Sequence, residues 1–229
     1  MRMEELNWMD VETYLARDDR LMLVIGACEQ HGYLSLLTDI RIPLALADAA
    51  SQQSGVLVAP PLNFGSSPYF LTYPGTFSLR MSTLMDAVED IVRSAHRQGF
   101  QRILILNGHG GNNGARSRLI EVQNDLPGLS LKWYAWWQSH SVEEIAVRHA
   151  LKPGHANWLE AFPFTTVTEL PEGTKVPPRV PSDLMNAPLT RQVYGDGSFG
   201  GPYRADEVVM QEIFAACLGD ILELLAFEP

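Results

Sequence analysis

A three-layer α/β/α fold on a mostly parallel central sheet is what this sequence predicts, on three observations. Four short apolar segments (21–27, 56–59, 102–106 and 129–137) alternate with longer stretches of helical periodicity. The first, and the third from Ile103 to Leu106, run apolar with no inward–outward alternation, as strands covered on both faces do. Between segments stand sharp stops: Gly55, Pro60-Pro61 and Gly99. A β–α–β–α–β–α–β order of this kind builds parallel neighbours through right-handed crossovers.

Each element follows from local chemistry. Residues 10–17 predict an amphipathic helix with Val11, Tyr14 and Leu15 on one side and Asp10 as its cap. The first strand is 21–27. The Ala-rich stretch 42–54 predicts a helix with Pro43 in its first turn, and 56–59 a second strand. Residues 62–80 form a long loop rich in Gly, Ser, Pro and aromatics, a length usually kept for function. A helix over 82–98, a strand over 102–106, a glycine-rich loop 107–114 and a helix over 115–124 follow, then a strand over 129–137. Beyond it we expect a helix at 141–149, a strand at 164–169, irregular chain over 171–203 and a terminal amphipathic helix at 206–227. The whole, 1–229, reads as a single domain without linker or repeat.

Composition removes several classes. The formal net charge is −10 with no Lys/Arg run, which argues against nucleic acid. No stretch reaches the roughly 18 apolar residues of a membrane span, and the acidic start (Glu4, Glu5, Asp10) does not read as a signal peptide. Two distant cysteines, Cys28 and Cys217, suit a reducing, cytoplasmic compartment.

The chemistry gathers just past two of the strands, the edge where open α/β sheets bind ligands. After the first strand come Glu29, His31 and then Asp39. After the third come Asn107-Gly108-His109-Gly110-Gly111-Asn112. Glu, His and Asp are good donors for Zn²⁺, Mn²⁺ or Fe²⁺. Taken alone, Glu-x-His reads more simply as a polar loop, with Asp39 capping the following helix. The alternative for the glycine loop, an anion cradle at a helix N-terminus, is disfavoured because the loop lacks a Lys and any P-loop pattern. A third element, His155 through Glu160, spaces its two groups badly for one helix face but could bring both to a site from a loop. His96, His140 and His149 read as surface residues and Cys28 as packing. Among Trp133, Trp136 and Trp137, alternation puts the first and last on one face, with one of the three available to line a pocket.

Together these elements resemble the creatininase family of metal-dependent amidohydrolases. The carrying residues are Glu29-Gln30-His31-Gly32, Thr38-Asp39, Tyr73-Pro74-Gly75-Thr76, Asn107 through Asn112, and His155 through Glu160, with Gly200-Gly201-Pro202 before the last helix. The resemblance spans roughly residues 20–225 and implies two divalent metal ions, zinc first, with manganese or iron as alternatives. Glu29 and His109 would hold one ion, His31 and Glu160 the other, and Asp39 would bridge. A metal-bridging hydroxide would attack the C–N bond of a small amide, lactam or formamide, with His155 as proton shuttle. Gly110, Gly111, Asn112 and Tyr33 would serve the substrate or oxyanion. A homo-oligomer, a hexamer by resemblance, acting on a small molecule is also implied.

Departures from the family pattern fall in the expected substrate pocket. Tyr33-Leu34-Ser35 replaces the usual Pro-His-Leu-Pro, one residue shorter and without its His. Phe70 stands where another His is expected, and Tyr73 replaces the Phe of Phe-Pro-Gly-Thr. Gly111 occupies a position that carries Glu in the name-giving enzyme, which is why the second ligand is assigned to Glu160. These changes point away from creatinine itself. Two other readings stay open: a non-catalytic phosphate- or sugar-binding protein, and a metallohydrolase acting on a non-amide bond.

Overall fold

A computed structural model describes residues 1–181 and 184–228. Its centre is a four-stranded, all-parallel sheet in the order β2-β1-β3-β4, made of β1 (Arg20–Ile25), β2 (Leu57–Val58), β3 (Arg102–Asn107) and β4 (Ser130–Ala135). β1 and β3 pair along their full length, from Arg20 opposite Arg102 to Ile25 opposite Asn107, so both strands end level. Chain leaving either end arrives at one edge.

Helices cover both faces, as the unbroken apolar strands required. One face (Met22, Val24, Leu104, Leu106) packs on α2 (Thr38–Ser54), α5 (His140–Arg148) and α7 (Glu207–Leu224), through Leu46, Ile145 and Ile213 among others. The other face (Leu21, Leu23, Ile25, Ile103, Ile105) packs on α1 (Trp8–Leu15), α3 (Met81–Gln98) and α4 (Asn113–Asp125). In α3 the buried residues are Leu84, Val88 and Val92, one per turn at four-residue spacing. The short helix α6 (Ala187–Tyr194) and the two-residue pair β5 (Thr174–Lys175) and β6 (Gly201–Pro202) lie in the segment expected to be irregular.

Several boundaries differ from expectation for identifiable reasons. α1 is capped by Asn7, whose side chain accepts from Met9 and Asp10; Asp10 is the reciprocal partner in a capping box. α2 begins at Thr38, not at Ile42, so Pro43 lies inside the helix and Asp39 falls in its first turn. Gly26 and Gly108, just past β1 and β3, let that turn settle on the sheet edge, since a Cβ on either would overlap the Asp39 carbonyl. β4 ends at Ala135, and the turn Trp136–Gln138 breaks the alternation: Trp136 is buried and Trp137 reaches the sheet edge. The strand expected at 164–169 is absent. That segment is a turn with one bridge, Leu34 to Thr166, held by the Thr165 hydroxyl on the Glu160 carbonyl.

Candidate metal centre

Three loops and the first turn of α2 converge where β1 and β3 end. Glu29, His31, Asp39 and His109 are all buried there. Asp39 lies between the two imidazoles, its Oδ1 2.9 Å from His31 Nε2 and its Oδ2 2.8 Å from His109 Nδ1. Glu29 Oε2 is 3.6 Å from His109 Nε2, and Glu160 Oε1 is 3.8 Å from His31 Nε2. Two donor trios result, Glu29–Asp39–His109 and His31–Asp39–Glu160, each with its donor atoms within 4.8 Å of one another and both sharing Asp39. A third grouping joins Glu29, His31 and His155.

The free faces of these residues suit a cation. His31 Nδ1 contacts the Glu29 carbonyl at 3.0 Å, and His109 Nε2 contacts the Ser66 carbonyl at 2.9 Å. Each imidazole therefore gives one N–H to a backbone carbonyl, the support that metal-binding histidines commonly have, and turns its other nitrogen to Asp39, joined at His31 by Glu160. Glu29 Oε2, His31 Nε2 and Asp39 Oδ2 are buried without a well-formed hydrogen bond. Two buried carboxylates, Glu29 and Asp39, with the half-buried Glu160 beside them, cost too much unless positive charge joins them, and a divalent ion fits that deficit.

Protons answer the same deficit in the metal-free site. Burial opposes a charged His31, but Asp39 and Glu160 outweigh it and raise its pKa to about 10. His109 is raised to about 9 in the same way, burial being overcome by Asp39 and Glu29. Asp39, despite burial, is held well below the usual carboxylate range by the two imidazoles. Burial dominates at Glu29, which is raised, and at Glu160, raised to about 7. Burial and the neighbouring charge of His31 push His155 well below the ordinary imidazole value, which leaves it neutral.

His155 and Glu160 reach the site from a turn leading into the short helix Trp158–Glu160. Ala156 adopts φ 52°, a conformation unfavourable for a side-chain-bearing residue, and this aims its N–H at Glu160 Oε2, 2.6 Å away. The cluster floors a cleft of about 580 Å³ walled by Tyr69, Phe70, Trp137, Phe199 and Met81, with Gly110 and Gly111 at its lip. Two expected substrate residues are not among its lining. Tyr33 packs edge-on against Tyr203, ring centroids 5.6 Å apart. Asn112 is fully buried and braces the loops, donating to the Gly26 carbonyl and accepting from the Ser66 N–H. An anion cradle is also disfavoured, because Asp39 and Glu29 lie against His109. Sequence reasoning missed the Ser66 carbonyl, Gln30 and Phe199. Only the length of the 62–80 loop hinted at the first.

A parallel three-layer α/β protein with a carboxylate–imidazole cluster at its sheet edge is a class with metal-binding chemistry. Within it, this chain belongs to the creatininase family, whose model, described as creatinine amidohydrolase, matches residues 4–225. The chain is 36% identical over 116 residues to creatinine amidohydrolase of Pseudomonas putida, a match covering 48% of this chain and 45% of that protein. It is 37% identical over 109 residues to the mycofactocin precursor peptide peptidase of Mycolicibacterium smegmatis, 44% of each. These matches span less than half the length of either relative. A solved structure named Creatininase Mn superposes with a TM-score of 0.82 at 23% identity, covering 100% of this chain and 99% of that one. That likeness establishes the fold.

Proposed function

We propose that this chain is a dinuclear metal-dependent hydrolase that cleaves the C–N bond of a small amide, lactam or formamide. The observation that carries the reading is the pair of buried donor trios sharing Asp39 on the floor of a cleft. Glu29 and His109 would hold one ion and His31 and Glu160 the other, with Asp39 between. Mixed oxygen and nitrogen donors suit zinc, manganese or iron nearly equally, and zinc is the ion we propose first. Bound ions would supply Lewis acidity and activate water near neutral pH. The chain's own residues do the rest. The aromatic walls orient a flat substrate and exclude water. His155, neutral and facing the cleft, serves the leaving nitrogen. Gly110 and Gly111 let the carbonyl approach the loop backbone. Among the described residues no Lys or Arg lines the cleft, so recognition falls to Tyr69, Phe70, Trp137 and Phe199 and favours an uncharged group beside the scissile amide.

The test is metal analysis of protein purified without chelators, followed by assays with creatinine, simple formamides and short peptides. Two ions per chain with C–N cleavage in any of these supports the reading. Fewer than one ion per chain, unchanged by His109→Ala, refutes it. Ester cleavage alone would favour the non-amide reading. The reading also places the chain in the cytoplasm, in accord with two free cysteines, as a homo-oligomer, hexameric by family resemblance. Light scattering after size exclusion checks the assembly.

A further inference from the structure

We propose that Gln30 is a positioning residue that decides which ring nitrogen of His155 carries the proton. Gln30 is buried between Glu29 and His31. Its Oε1 accepts from the Gly32 N–H at 3.0 Å, and its Nε2 donates to the Gly197 carbonyl at 3.2 Å. Turning the amide over would set oxygen against oxygen and N–H against N–H, so both contacts fix its orientation. The second hydrogen on Nε2 then has His155 Nε2 before it, 2.9 Å away. A proton on that ring nitrogen would oppose two donors, so His155 Nε2 accepts and Nδ1 carries the hydrogen.

The backbone carbonyl of Gln30, 3.1 Å from the same ring nitrogen, would suit the opposite tautomer. It cannot be served while the side chain donates. His155 Nδ1 lies 3.8 Å from Glu29 Oε1, on the side of the cluster. The ring is stacked on Phe70 (centroids 4.9 Å apart, 14° between planes) and packed on Phe199. His155 therefore presents Nδ1 and its hydrogen toward the donor cluster. To take up a proton at Nδ1 it must first move its hydrogen to the carbonyl-facing nitrogen.

The device reaches beyond the loop. Gly197, at φ 97°, is needed because a Cβ there would overlap the Gln30 amide. Lys175 ties down the turn that presents the Gly197 carbonyl, donating to the carbonyls of Tyr194 and Ser198 and pairing with Asp196.

This inference rests on the proposed hydrolase reading only for its effect on activity. The deciding measurement is isotope-edited NMR of the ring nitrogens in zinc-loaded protein labelled at histidine, with the His155 signals assigned by their loss in His155→Phe. Wild type is expected to show hydrogen on Nδ1. Gln30→Glu, which replaces the donor with an acceptor, is expected to move it to Nε2, and Gln30→Met to give a mixture. Where C–N cleavage is found, Gln30→Glu should lower kcat about 10–100-fold with KM little changed. Wild type with hydrogen on Nε2, or an unchanged tautomer in Gln30→Glu, overturns the proposal. An inactive protein with hydrogen on Nδ1 retains this inference and sinks the hydrolase reading instead.

Discussion

Glu160→Gln separates the two donor trios. Glu160 contributes to the His31 side only, whereas Glu29–Asp39–His109 is complete without it. The substitution keeps a carbonyl oxygen for the Ala156 N–H and removes the charge facing His31. An ion present at about a hundredfold over its Kd stabilises by about 2.7 kcal/mol. For a chain of this size that is about 5–10 °C in Tm per ion. Wild type should therefore hold two ions and lose about 10–20 °C on chelation. Glu160→Gln should hold one and lose about half as much. Asp39→Asn, which strips both trios, should hold fewer than one and ignore the chelator. Elemental analysis gives the stoichiometry and thermal unfolding with and without chelator gives the shift. Glu160→Gln with two ions and the full chelator response would refute the assignment of Glu160.

Other outcomes follow from the same geometry. Gly111→Ala puts a Cβ into the Ser66 carbonyl and the His109 ring; overpacking of about 1–3 kcal/mol should lower Tm and metal content together. Asn7→Ala removes the cap of α1, should cost about 1 kcal/mol, and should leave metal content untouched, which makes it the control for that variant. In chelated protein His31 and His109 bind protons more tightly folded than unfolded. Their stabilisation is complete below the ordinary value of 6.5 and is lost as pH rises through about 9 and 10. Denaturant melts across that window should show falling stability without metal and little change with zinc. A flat profile in chelated protein would contradict protonation of His31 and His109 by their carboxylate neighbours.

The sheet was legible because its chemistry is local. Residues 21–25 and 103–106 are apolar at every position, and only a strand covered on both faces asks for that. The start of α2 was not, because Thr38 and Asp39 are weak helix formers and Pro43 resembles a first-turn residue. What holds them in the helix is tertiary: the Thr38 hydroxyl donates to the Ser35 carbonyl, and Gly26 and Gly108 admit the Asp39 backbone. The strand expected at 164–169 failed for a like reason. Its β-branched residues satisfy strand propensity, yet Phe164 stacks on Phe162, ring centroids 5.1 Å apart, and Thr165 bonds back to Glu160.

Glu160 shows why the site could be only partly read. Glu29, His31 and His109 are announced by position, just past strands. Glu160 enters through a turn whose strained Ala156 no spacing rule foresees. Gly111 supplies the complementary half of the explanation. The space a side chain would need at 111 is filled by the Ser66 carbonyl, which accepts from His109 Nε2 and so turns Nδ1 toward Asp39. A side chain at 111 would displace that carbonyl and release His109. With the loop committed to orienting His109, negative charge beside His31 has to come from another part of the chain, and Glu160 is the carboxylate other than Asp39 within 4 Å of its Nε2 among the described residues. The glycine at 111 and the strained turn at 156 are therefore two parts of one arrangement, and replacing either alone should disturb the shared centre.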